Sequence, residues 1–347
     1  MKVFITGGAG FFGLHLVSYL SQKKYKVTAV DIADFPKEEY PKDADLYKAD
    51  IRNEKKMKKL MQGADCVIHA AAALPLWKVE DIHNINVKGT RILLKVALEQ
   101  KVKHFIYISS TAVYGVPEKH PIVEEDPLVG VGPYGQSKID AEEVCRDART
   151  KGMIVTVIRP KTFVGTHRLG VFEILFDWIR AGKRIPVIGS GNNRYQLLDV
   201  DDLVAAIYRI MTLSDKKKTD TAFNIGAEEF KTVREDLGEL FRYARSGSRI
   251  VSTPAGLVKF FLWLFETLKI SPLYRWVYDT ADRDSFVSID RLIDTLQWKP
   301  KYSNAQALIK AYRWYLENYK MIKSGSPGVT HTVGWKQGIL GFFKRFM

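Results

Sequence analysis

Short β-branched runs alternate with helical patterns through the first half of the chain, and no other sequence feature constrains the fold as strongly. Candidate strands occupy Lys2–Thr6, Lys26–Asp31, Leu46–Ala49, Cys66–Ala70, His104–Ser109 and Ile154–Arg159. Helix-like segments lie between them near Phe12–Lys23, Glu54–Met61, Gly89–Gln100 and Tyr134–Thr150. Strand and helix in strict alternation predict an α/β fold, a doubly wound parallel sheet with helices on both faces. The strands read as almost unbroken apolar runs, which suits a sheet covered on both sides. Beyond about residue 165 the rhythm loosens into helices near Val171–Ala181 and Val200–Thr212, a strand near Ala222–Ile225, and mostly helix to Tyr319. The expected organisation is a sheet domain over 1–165, a smaller lobe interleaved with it over 166–320, and a basic tail over 321–347.

Gly8-Ala9-Gly10-Phe11-Phe12-Gly13 reads GxGxxG, with Gly7 before it. The hexapeptide follows a strand and opens a helix, the context in which glycines let the backbone turn tightly and approach a pyrophosphate. Free N–H groups and the helix dipole then favour the negative charge. Asp31 closes the second strand 18 residues beyond Gly13, where a carboxylate accepts hydrogen bonds from adenosine ribose hydroxyls and repels a 2′-phosphate. Ile32-Ala33-Asp34 supplies no arginine. The fold class is therefore Rossmann-like, and NAD is favoured over NADP.

The net charge of +14, from 53 Lys and Arg against 39 Asp and Glu, favours anionic partners. Zinc-finger spacing and RNA-binding signatures are absent from the sequence, so no nucleic-acid partner is expected. Cys66 and Cys145 sit in no CxxC or Cys/His cluster, so no metal is expected and a reducing cytoplasm fits. The opening residues run straight from a strand into glycines and do not read as a secretory leader. The most apolar stretch, Leu257–Leu268, contains Lys259 and Glu266 and falls short of the roughly 20 residues a spanning helix needs.

Tyr134-Gly135-Gln136-Ser137-Lys138 is YxxxK. On a helix the phenol and the ammonium share one face, and Ala141, Val144, Cys145 and Ala148 continue the helical spacing. A free tyrosine, with a pKa of about 10, is a poor base at neutral pH. The expectation is that the Lys138 cation makes Tyr134 more acidic.

With these motifs in order, the chain resembles the extended short-chain dehydrogenase/reductase family, also called the NAD-dependent epimerase/dehydratase family, over roughly residues 1 to 320. Asp50-Ile51 is similar to the family's adenine-contacting pair. Ala70, Ala71 and Ala72 resemble the small-residue strand end beside the cofactor, and Asn86-Val87-Lys88-Gly89-Thr90 resembles its NVxGT segment. For Asn86, cofactor contact and a helix cap both remain open. Thr111-Ala112-Val113-Tyr114-Gly115 resembles the end of an SSxxVYG segment, which makes Ser110 the family's catalytic serine. The resemblance implies that Tyr134 exchanges the substrate hydroxyl proton, that Ser110 holds the same oxygen, and that Lys138 binds the cofactor ribose. It also places Gly7, Gly10, Phe11, Phe12, Gly13 and Asp31 around NAD, and it implies a homodimer. Ser110 is followed by Thr111-Ala112 and not by the Asp–Glu pair of the family's dehydratases, which disfavours a 4,6-dehydratase.

For the substrate, Thr162 stands where nucleotide-sugar relatives carry an Asn, and Tyr195 where they carry an Arg. Lys161, His167, Arg168 and Arg194 are the candidate substitutes. Phe260, Phe261, Leu262, Trp263, Leu264, Phe265 and Trp276 make the late segment similar to 3β-hydroxysteroid-dehydrogenase-like members and suggest an apolar cover. The first expectation is thus an NAD-dependent oxidoreductase acting on a secondary alcohol or ketone of a hydrophobic, sterol- or isoprenoid-like molecule. A nucleotide-sugar epimerase with retained NAD is the second, and a non-catalytic NAD-binding regulatory protein the third. Trp335, Ile339, Phe342 and Phe346 in the tail share one helical stripe flanked by Lys336, Lys344 and Arg345. That pattern suits docking onto the protein itself somewhat better than the alternative, peripheral membrane contact through 335–347.

Overall fold

The computed structural model describes residues 1–75, 77–167, 171–267 and 275–323, and for 265–267 and 275–277 the backbone alone. Among the described residues seven strands form one parallel sheet: β1 (Lys2–Thr6), β2 (Lys26–Asp31), β3 (Asp45–Lys48), β4 (Cys66–His69), β5 (His104–Ile108), β6 (Ile154–Pro160) and, later in the chain, β10 (Ala222–Ile225). Their order is β10-β6-β5-β4-β1-β2-β3, so the chain starts in the middle and winds outward both ways. The period-2 alternation of side chains divides the interior into two cores. Val3, Ile5, Val27, Ala29, Ile106 and Ile158 face α1 (Phe11–Gln22) and α7 (Val200–Thr212). Phe4, Val30, Val67, Phe105, Val155 and Val157 face α2 (Glu54–Leu60), α4 (Thr90–Glu99) and α5 (Gly132–Thr150). A short helix, α3 (Val79–His83), runs through a π-helical turn over Asn84–Gly89 into α4.

The expected strands and helices of the sheet occur within two residues of their predicted ends. Helix α5 starts two residues early because Pro133 is tolerated in a first turn, and this puts Tyr134 at the mouth of the helix. Its inward face holds Ala141, Val144, Cys145 and Ala148, all buried.

The smaller lobe packs α6 (Val171–Arg180), α8 (Val233–Ala244) and α12 (Asn304–Glu317) around Phe176, Ile179, Leu240, Leu308 and Tyr315. Capping boxes open α8, from Thr232 and Glu235, and α12, from Ser303 and Gln306; each satisfies two otherwise orphaned N–H groups. Two small pairings lock the lobe, β7 (Phe163–Val164) on β9 (Leu198–Asp199) and β8 (Ile185–Ile188) on β11 (Ile250–Thr253). Helices α9 (Ala255–Thr267), α10 (Arg275–Thr280), α11 (Asp290–Leu296) and α13 (Tyr319–Lys323) complete it. On α9, Leu262 is buried but Leu257 and Phe260 are more than half exposed, so the face expected as an apolar cover is in part turned to solvent. The side chains of Phe265 and Trp276, Arg168 and the amphipathic tail over 335–347 lie outside the described residues.

Candidate active site

The glycine turn between β1 and α1 is shaped by steric necessity. Gly7 has φ of +74°, and a Cβ there would stand 2.7 Å from the backbone of Ala71; at Gly13 a Cβ would stand 2.2 Å from the Gly7 carbonyl oxygen. Only bare backbone fits this crossing of β1, β4 and α1. It opens onto a cleft of about 370 Å³. Gly7, Gly10, Phe11, Phe12, Gly13, Asp31, Asp50, Ile51, Ala70, Ala71 and Ala72 all line it, together with Trp77, Ile85 and Phe163. The Asp31 carboxylate accepts from Ala9 N–H (3.0 Å) and Ala33 N–H (2.9 Å). Burial raises its pKa while those bonds oppose the shift. Asp50 lines the same cleft with its carboxylate already engaged by Arg52 (2.6 Å), whose hydrogen bonds hold its pKa below the usual range. Phe163, from β7, stacks on Phe11 at 5.7 Å and so ties the lobe to the floor of the cleft.

Asn86 is not among the lining residues. Its amide oxygen accepts from Ala73 N–H (2.8 Å), and its NH₂ donates to Ala73 O (3.3 Å) and Ser137 Oγ (3.0 Å). The side chain braces the strand end that carries Ala70–Ala73 against α5, and it sits inside a π-helical turn instead of capping a helix. His69 does similar work one layer down, between Thr6 (2.7 Å) and Thr90 (2.9 Å), with its pKa pushed down to about 3 by burial.

Ser110, Tyr134 and Lys138 converge at the carboxyl end of β5. Ser110 Oγ accepts from Ala112 N–H (3.1 Å) and so caps the turn over Thr111–Tyr114; it also hydrogen-bonds Tyr134. Lys138 donates to the Ile108 carbonyl (2.9 Å), and its ammonium lies 5.9 Å from the Tyr134 ring centroid. The electrostatics run opposite to the expectation from spacing. Burial pushes Tyr134 up to about 12, eased only by Ser110, and pushes Lys138 down to about 8. Desolvation penalises both charged forms more than their proximity helps.

Beneath the trio lies a polar network. Glu142, one further helical turn beyond Lys138, accepts Ser109 Oγ (2.5 Å) and the Arg159 guanidinium (2.6 Å from Nη2). Arg159 continues to Tyr114 Oη (2.7 Å), and Tyr114 to Asn224 on β10 (2.8 Å). Tyr134, Lys138 and Glu142 follow i, i+4, i+8 spacing, a signal present in the sequence. At the lobe side Tyr195 hydrogen-bonds Thr162 and Thr280, so the two positions that depart from nucleotide-sugar relatives are bonded to each other. Arg194 packs between Phe230 and Phe286, at 4.7 and 4.6 Å. A separate cleft of about 480 Å³ lies beyond α1, between His15, Glu39, His167 and Asp201, and contains none of the motif residues.

A glycine cradle that a Cβ would fill, a carboxylate at the end of β2, and Ser, Tyr and Lys at the end of β5 define a dinucleotide-dependent site. The NAD dependent epimerase/dehydratase family signature matches residues 3–226, and the chain belongs to that family. It is 34% identical to the uncharacterised protein y4nG of Sinorhizobium fredii, covering 97% of this chain and 84% of that one. To UDP-glucose 4-epimerase 2 of Arabidopsis thaliana it is 27% identical, covering 74% of this chain and 83% of that one. The UDP-glucose 4-epimerase of Thermotoga maritima, solved with UDP-glucose, superposes with a TM-score of 0.76 at 25% identity, over 92% of this chain and all of that one. UDP-glucuronic acid 4-epimerase of Bacillus cereus, solved with NAD, shares the fold at a TM-score of 0.76 and 21% identity, over 92% of this chain and 100% of that one. NAD is the cofactor this cleft fits. Those of these relatives that are named for an activity are UDP-sugar epimerases, so a sterol-like substrate is less well supported than the epimerase alternative. No helix among the described residues is long and apolar enough to cross a membrane.

Proposed function

We propose that the chain is an NAD-dependent epimerase of a nucleotide sugar, with Ser110, Tyr134 and Lys138 as its catalytic residues. The carrying observation is their convergence at the carboxyl end of β5, the Ser110–Tyr134 hydrogen bond included, beside the glycine-lined cleft. NAD supplies a hydride acceptor and donor, and in its oxidised form a positively charged ring. Tyr134 Oη takes the proton of the reacting hydroxyl and returns it to the oxygen after the opposite face has been presented. Ser110 Oγ holds that oxygen in place, and Lys138 steadies the ribose and adds positive charge near the phenol. Burial raises the Tyr134 phenol to about 12, and a positive charge beside it favours the phenolate and opposes that shift.

The relatives named for UDP-sugar epimerisation support this reading over a one-way oxidation of a hydrophobic alcohol. The test is to incubate the purified protein with UDP-glucose, UDP-N-acetylglucosamine and UDP-glucuronic acid in turn and to follow the 4-epimer by proton NMR. Tyr134→Phe should cut turnover by about 10² to 10⁴ while NAD affinity stays within about threefold. Turnover that survives the substitution would remove Tyr134 from catalysis, and a protein that converts none of these sugars would remove the epimerase reading.

A further inference from the structure

Among the described residues Lys138, Arg159 and the half-buried Lys310 each lie near a carboxylate, and Lys161 has no ion pair with one. Arg159 holds Glu142, Lys138 lies within the field of the same carboxylate, and Lys310 pairs with Asp199 and Asp201. Lys161 is 1% exposed. Its ammonium donates to Ser285 Oγ (2.8 Å) and lies 5.0 Å from the Tyr195 ring centroid. An ammonium has three donors, and Lys161 bonds one neutral hydroxyl, with no salt bridge to any carboxylate among the described residues. The other titratable group facing it is His120, itself beside Asp284. A buried charge left in this state is costly unless an anion comes to it.

Its position points to which anion. Ser109 N–H donates to Ile158 O (2.7 Å) and Thr111 Oγ1 to Pro160 O (3.3 Å), so Ser110 is flanked on both sides by bonds to β6. Lys161 is the next residue of that strand end, one strand over from Ser110. Neighbouring strands are about 4.8 Å apart. The Lys161 backbone thus stands beside Ser110 at the adjoining strand end, and its side chain runs from there to Ser285 and Tyr195.

We propose that Lys161 is a specificity-determining residue that pairs with a carboxylate carried on the sugar ring, which makes the substrate class an acidic nucleotide sugar, a uronic acid. The assignment rests on the nucleotide-sugar reading above. It also accounts for a lysine kept dry in a lobe otherwise lined here by hydroxyls and rings. Burial holds the Lys161 pKa down to about 7, and an incoming carboxylate would restore the proton.

The test measures binding of UDP, UDP-glucose and UDP-glucuronic acid to the NAD-loaded protein by calorimetry at pH 8, in two buffers of different ionisation enthalpy. Wild type should bind UDP-glucuronic acid at least tenfold tighter than UDP-glucose and take up close to one proton with it. Lys161→Met should bring the two sugars within about threefold and abolish the uptake, leaving UDP-glucose and UDP affinities unchanged. Ser285→Ala, which removes only the neutral partner, should keep the preference and covers the case in which the methionine variant does not fold. Equal affinity of wild type for the two sugars overturns the proposal and leaves the epimerase reading standing. So does a preference that persists in Lys161→Met, or a loss that falls equally on UDP alone. Absence of binding to any of the three overturns both.

Discussion

Glu142→Leu tests whether the layer beneath Ser110, Tyr134 and Lys138 is held together by charge. The Glu142 and Arg159 side chains are 4% and 6% exposed, and the carboxylate accepts both the guanidinium and Ser109. Removing one member of a buried pair costs about 3–5 kcal/mol because the other charge is stranded. Arg159 keeps Tyr114 and the Glu124 carbonyl, which argues for the lower end of that range. With an unfolding entropy of about 2.1 cal/mol/K per residue over 347 residues, the loss corresponds to roughly 4–7 °C in Tm. The double variant Glu142→Leu/Arg159→Met removes both charges and should recover at least half of the loss, since an apolar replacement of a buried pair is often neutral. Scanning calorimetry of wild type, Glu142→Leu, Arg159→Met and the double variant closes the cycle. A second readout is catalytic: the Glu142 carboxylate opposes the burial that lowers Lys138 to about 8. In the single variant Lys138 loses its proton at lower pH, so turnover falls more at pH 8 than at pH 7. A Tm loss below 1 °C, or a double variant no more stable than the single one, refutes the reasoning.

Two further outcomes are expected. His69 and His104 are held neutral by burial, with folded pKa values of about 3 against about 6.5 unfolded. Between those values the unfolded chain binds more protons, so stability is complete above about pH 7 and is lost as pH falls, by at most about 1.4 kcal/mol per unit for each ring; urea unfolding from pH 7.5 to 4.5 should show this, and His104→Gln should flatten the slope. Asp31→Ala removes a carboxylate that lines the cleft at the end of β2 and should weaken NAD binding by about tenfold or more, since hydrogen bonds to a charged group contribute about 1.5–3 kcal/mol; titration of tryptophan fluorescence with NAD checks it, and unchanged affinity would argue against a cofactor contact at Asp31.

The sheet was legible because its information is local. A five-residue strand, a glycine turn and an apolar helical face each announce themselves within a dozen residues, and so do the cleft-lining Gly7–Gly13 and Asp31. The lobe was less legible because its short strands pair across long separations: Phe163 stands opposite Leu198 and Ile185 opposite Ile250 in the register, and two- or four-residue strands carry too little pattern to find each other. Asn86 was misleading for a related reason. A buried amide serves whichever backbone is nearest, and the fold brings Ala73 there. Spacing placed Tyr134 next to Lys138 but is silent on desolvation, which sets the sign of both pKa shifts.

The chain leaves the cofactor sheet after β6 and comes back for α7 and β10. A fragment ending near residue 165 would therefore leave the β6 edge unpaired and Leu16, Val17 and Leu20 of α1 without the α7 residues that cover them. The two parts are therefore not separable cassettes: α7 and β10 belong to the sheet's own core although the chain reaches them only after building part of the smaller lobe.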